Sequence, residues 1–118
     1  LKDTTLSLAD FDGLPVQSNT NILTQKVADF VSLLNYPNSA ELYIKCSEEK
    51  FNEFVSELKS ENILSNAEIR GMSVLNLEQR KAMLVDMLII KIKSDVQTVN
   101  GISAIAINTS NVYNKVFN

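Results

Sequence analysis

The chain contains no histidine, and that absence narrows its chemistry before any other residue is considered. Without an imidazole, a Ser-His-Asp triad, a Cys-His pair and a histidine-ligated metal site cannot be built within this chain. A cysteine nucleophile would need another base and a depressed pKa. The lone cysteine, Cys46, falls at the end of an expected strand and just before a helix N-terminus, where the dipole favours a thiolate. The competing reading, which we take, is a small core residue pointing inward with Leu42 and Ile44.

The carboxylates offer three further patterns. Asp10-Phe11-Asp12-Gly13 has the form of the middle of a calcium loop. Leu14, Pro15 and Val16 follow it and supply none of the oxygen ligands such a loop needs, so it reads as an acidic turn. Glu48, Glu49, Glu53 and Glu57 fall on one expected helix, and paired carboxylates do acid–base work when their surroundings push their pKa values apart. Here the interleaved Lys50 and their place off the apolar stripe of Phe51, Phe54 and Leu58 mark a solvated face. Gly13, Gly71 and Gly101 stand too far apart to cradle a phosphate. Asn108-Thr109-Ser110 has the form of a glycosylation acceptor, a triplet common enough to arise by chance. No catalytic residue, cofactor or metal is therefore expected.

Composition sets what must position these residues. The chain has 118 residues, 45% of them hydrophobic and 21% charged, enough apolar content to offset chain entropy by burial. Its net charge is -3, and its eleven Lys and Arg residues are scattered from Lys2 to Lys115. Counterion release needs clustered cations, which argues against nucleic acid, and the same dispersal argues against a polybasic membrane anchor. The longest apolar run, Met87-Leu88-Ile89-Ile90, falls far short of the ~20 residues of a spanning helix, so no membrane insertion is expected. A lone cysteine cannot form an internal disulfide, which fits the cytosol without requiring it. The start at Leu1 instead of Met reads as a processed or trimmed chain and leaves export open.

The expected elements run as follows. Residues 1–18 read as an extended or poorly ordered lead-in, and 19–118 as a single domain. Leu23, Val27, Phe30 and Leu34 predict a helix over Thr20–Asn35, with Asn19 as its cap and Tyr36-Pro37 as its stop. Alternation over Glu41–Cys46 predicts a strand with Leu42, Ile44 and Cys46 on one side. Ser47 then caps a helix striped by Phe51, Phe54, Val55 and Leu58, and a strand is predicted around Ala67–Met72. Residues 76–99 fit two patterns: a helix to about Asp86 followed by a strand, or one helix running on to about Gln97.

Asn100-Gly101 favours the first pattern, because both central positions of a type I′ hairpin turn need positive φ. Folding there sets Val99 opposite Ile102, Val96 opposite Ile105 and Ser94 opposite Ile107. The tail from Ser110 is given one helical turn at Val112–Phe117, with Val112, Tyr113, Val116 and Phe117 covering the sheet edge. The expected fold is therefore α+β, a mostly antiparallel sheet of about four strands with helices packed on one face.

That fold leaves one flat strand face, carrying Lys91, Lys93, Asp95 and Gln97 with the small Ala104 and Ala106, as the candidate protein-binding surface. The functional expectation is a non-catalytic interaction module with an acidic surface: an adaptor, an inhibitor or a chaperone-like partner of another protein or of itself. A small structural subunit of an assembly and a histidine-free enzyme are the alternatives.

Overall fold

In the computed structural model residues 19–34 and 38–117 are described. The lead-in over 1–18, with the acidic turn at Asp10-Gly13, and the stop at Tyr36-Pro37 lie outside the described residues. The order of elements is α1 (Asn19–Leu33), α2 (Ala40–Ile44), α3 (Glu48–Ser60), α4 (Asn66–Met72), α5 (Leu77–Ser94), β1 (Thr98–Val99), β2 (Ile102–Ser103) and α6 (Ala104–Phe117). The expected four-stranded sheet is thus overturned: among the described residues, the only sheet is a two-stranded antiparallel hairpin joining two helices.

The helices predicted from strong apolar stripes form where expected. Leu23, Val27, Phe30 and Leu34 of α1 and its C-terminal edge are buried, as are Phe51, Phe54, Val55 and Leu58 of α3. Ser47 caps α3 by accepting the Lys50 N–H at 3.2 Å. At the other end Asn62 takes the left-handed conformation (φ 61). Its N–H reaches the Lys59 carbonyl, and the Ile63 N–H reaches that of Leu58, both at 2.9 Å. This is a Schellman closure, with Ile63 and Leu58 buried together beneath it.

Three predicted strands are helical instead. Over Glu41–Cys46 the alternation is too short to separate a strand from a helical turn. Tyr43 settles it: its ring is buried in the core and its hydroxyl donates to the Lys81 carbonyl at 2.8 Å, while Leu42 turns outward. The predicted strand around Ala67–Met72 is α4, begun by a reciprocal capping box in which Ser65 and Glu68 each accept the other's backbone N–H. The strand predicted after Asp86 is the second half of α5, which runs on to Ser94. Another capping box, Asn76 with Gln79, starts α5, and Lys81, Leu84, Val85, Leu88 and Ile92 recur inward at helical spacing. Its β-branched residues follow packing rather than propensity.

The turn itself forms as read. Asn100 and Gly101 have φ 55 and 83, and Val99 pairs with Ile102. The pairing stops after Thr98 and Ser103, so Val96–Ile105 and Ser94–Ile107 do not form, because α6 begins at Ala104. α6 takes in both the predicted strand after Ile102 and the predicted C-terminal turn. Val112, Tyr113 and Val116 are core residues of α6 rather than cover for a sheet edge. Rings of α1, α2, α3 and α6 meet at the centre. The Phe54–Tyr113 and Tyr43–Phe117 pairs stand edge to face at 5.9 and 6.0 Å, and Tyr113 packs on Phe117 at 4.8 Å.

Candidate functional site

The six residues expected to share a strand face are dispersed. Lys91 Nζ pairs with Glu68 of α4 at 2.9 Å, Lys93 is exposed near the end of α5, and Ala106 is buried in α6. Asp95, Gln97 and Ala104 instead meet at the start of α6. The Ala104 N–H donates to the Gln97 carbonyl at 2.9 Å and the Ile105 N–H to Asp95 Oδ2 at 3.0 Å. The Ala106 N–H donates to Ser103 Oγ at 3.1 Å, and that hydroxyl donates to Asp95 at 2.8 Å. The first three amides of the helix, which have no acceptor inside it, are thereby satisfied. The Ile105 N–H, then the Gln97 N–H and the Ser103 hydroxyl, hold the Asp95 carboxyl below its ordinary 3.8. These residues connect two helices and do not form the flat strand face expected of them.

Cys46 is half-buried just ahead of the Ser47 cap. Burial pushes its thiol above the ordinary 9.0, and the nearby Lys81 ammonium opposes that push. The helix start therefore does not yield a depressed thiol here. In the Asn108-Thr109-Ser110 triplet Asn108 is exposed, while Thr109 and Ser110 are buried in α6.

Two surfaces remain. The first is the outer side of α3, where Glu49, Glu53, Glu57 and Glu61 recur every four residues and stack along one line. Glu48 to Glu61 holds five carboxylates against two lysines. Lys50 leans on Glu53 at 3.6 Å, and Lys115 of α6 reaches Glu57 at 3.0 Å. Glu57, then Glu61 and Glu53, raise the Lys115 pKa above its ordinary 10.5, which reports the negative field along that line. The inner side of α3 is locked into the core by Phe51, Phe54 and Leu58.

The second is a groove of about 410 Å³ between the start of α1, the end of α2 and the start of α5, lined by Leu23, Ile44, Lys45, Leu77, Glu78 and Lys81. Lys81 is only 5% exposed. Its ammonium donates to the carbonyls of Ile44 at 2.9 Å and Cys46 at 2.7 Å, at the end of α2. Sequence reasoning missed this site, although one signal was present: a lysine occupies an inward position in the run Leu77, Lys81, Leu84, Leu88.

Among the described residues, no group of three or more Cys, Asp or Glu could hold a metal ion, and no helix is long and apolar enough to cross a membrane. No protein-family model, curated protein or solved structure matches the chain.

Proposed function

We propose that the chain is a non-catalytic interaction module whose acidic α3 face receives a basic surface of another protein. The carrying observation is the line of Glu49, Glu53, Glu57 and Glu61 on a helix whose opposite side is fixed in the aromatic core. A rigid row of like charges speeds encounter with a cationic partner and selects against acidic ones. Lys50 and Lys115 offset the row in part, at Glu53 and Glu57, and five carboxylates against two lysines leave the segment from Glu48 to Glu61 net negative.

The test compares proteins retained by the immobilised chain with those retained by a Glu49→Lys, Glu53→Lys double variant, each at low and high salt. The reading expects a basic protein held by the unaltered chain at low salt, released by salt and missing from the variant. Identical retention by both would overturn it.

A second reading, a structural subunit of an assembly, is favoured by the hairpin end. There Val96 and Val99 are 87% and 53% exposed and each strand of the hairpin has an unpaired edge. Growth of apparent mass with concentration is its signature.

A further inference from the structure

We propose that Asn100 is a self-modification site, at which the chain converts its own side-chain amide to isoaspartate and aspartate and so loosens the junction between α5 and α6. This does not rest on the reading of the α3 face. Asn100 is the one asparagine of the sequence followed by glycine, and both residues are exposed at the tip of the hairpin. The chemistry is intramolecular. Once base removes the Gly101 amide proton, that nitrogen attacks the side-chain carbonyl carbon of Asn100. A C–N bond forms, the bond to the side-chain NH2 breaks and ammonia leaves. Water then opens the cyclic imide: at the backbone carbonyl it gives isoaspartate, whose main chain runs through the side-chain carbon, and at the side-chain carbonyl it gives ordinary aspartate.

Among the described residues two asparagines have a left-handed backbone, and they differ at the attacking amide. After Asn62 (φ 61) the next N–H, that of the buried and β-branched Ile63, already donates to the Leu58 carbonyl at 2.9 Å. After Asn100 (φ 55) the next N–H belongs to a glycine, with no side chain to crowd the nitrogen. Nothing lies within 4 Å of where a Cβ on Gly101 would stand, and among the described residues its N–H donates to no carbonyl. No hydrogen bond among them holds the Asn100 side chain either. Asn38, also followed by a small residue, Ser39, is the contrast: it is half-buried and its amide donates to Ser110 Oγ at 3.3 Å. The consequence follows from the turn. Isoaspartate adds a carbon to the main chain inside a two-residue turn, on which the Val99–Ile102 and Thr98–Ser103 pairs depend. The start of α6 is tied to the same segment through the Ala104 N–H and the Gln97 carbonyl at 2.9 Å. Conversion therefore adds a negative charge and frees the hairpin, while the packing of Phe54 on Tyr113 is left as it was.

The experiment holds the full chain at mildly alkaline pH and follows each asparagine by peptide mass mapping, with fragmentation that separates isoaspartate from aspartate. Asn100 is expected to convert at least about tenfold faster than Asn38 or Asn62, which asks only a modest difference in barrier, and to yield both products. The isoaspartate form, isolated by ion exchange, should exchange its hairpin amides faster than the unconverted chain, with those of α3 unchanged. An Asn100→Asp variant carries the charge without the added carbon, and its hairpin should exchange at nearly the unconverted rate. The proposal is overturned by conversion at Asn100 no faster than at Asn38 and Asn62, or by aspartate without isoaspartate. It is equally overturned by an isoaspartate form whose hairpin exchanges as slowly as before, or by a variant that exchanges as fast as that form. Because the comparison of sites is made on the unaltered chain, it decides the matter even where the variant fails to fold.

Discussion

The packing of α3 on α6 and the α5–hairpin–α6 junction lie in the same small molecule but are held by different forces. Between α3 and α6, Phe54, Tyr113 and Phe117 meet in a ring cluster backed by Tyr43, whose hydroxyl bonds the Lys81 carbonyl; the Tyr113 hydroxyl likewise donates to the Ser39 carbonyl. At the junction the main organiser is one half-exposed carboxylate, Asp95, which gathers the Gln97 and Ile105 amides and the Ser103 hydroxyl. Val96 and Val99 beside it face outward. Burial stabilises the first region whatever the ionic conditions, whereas the second depends on the charge of one residue. The junction is the end where local opening is easiest, and the α3 face is presented by the firmer end.

Truncation in the ring cluster attacks the comparison most strongly. Phe54→Ala should cost about 3–5 kcal/mol in urea unfolding, the range for an aromatic removed from a packed core. A much smaller loss would show that this end is not the firm one.

Alkaline titration follows. Burial pushes Tyr113 up to about 12 and Tyr43 well above its ordinary 10.0. A raised tyrosine pKa stabilises the fold fully below the unfolded value and loses that contribution as pH rises towards the folded one. Stability should therefore fall between pH 10.0 and about 12, with tyrosinate absorbance from these two rings appearing together with loss of helical circular dichroism. Tyrosinate absorbance developing while the helical signal stays intact would contradict the burial.

Gly101→Ala probes the turn. At φ 83 a side chain is strained although nothing crowds its Cβ, and the cost should be about 1–2 kcal/mol, read from the midpoint of thermal unfolding. Asp95→Ala is the subtlest and sharpens the contrast through pH. The depressed carboxyl contributes in full above its ordinary 3.8, and that contribution is lost as pH falls through the folded value. The variant should lose this part of the acid dependence, and its hairpin amides should exchange faster while those of α3 do not. Equal acceleration in both regions would erase the distinction.

Much of the first half of the chain was legible. Leu23, Val27, Phe30 and Leu34, and then Phe51, Phe54, Val55 and Leu58, form single clean stripes because α1 and α3 each bury one side and expose the other. α5 gave no such stripe: Ala82, Met83, Asp86, Met87 and Ile89 are all half-buried around a buried line, since neighbours pack on several sides of it. An enclosed helix rich in isoleucine resembles a buried strand in composition. Asn100-Gly101 was read correctly as a turn and wrongly as the centre of a long hairpin. A two-residue turn fixes local geometry and the first pair, Val99 with Ile102, but says nothing about how far the ladder continues. The strand face carrying Lys91 and Ala106 was lost with that ladder. The groove was hidden because Lys81, Ile44 and Leu23 come together only through tertiary packing.

The central claim, that this is a single-copy module with a working face for a different protein, is tested most directly by light scattering during size-exclusion chromatography over a wide concentration range. The account predicts a constant mass of 13.1 kDa. A mass that doubles or keeps rising with concentration would contradict it and would move the working surface from α3 to the exposed valines of the hairpin end.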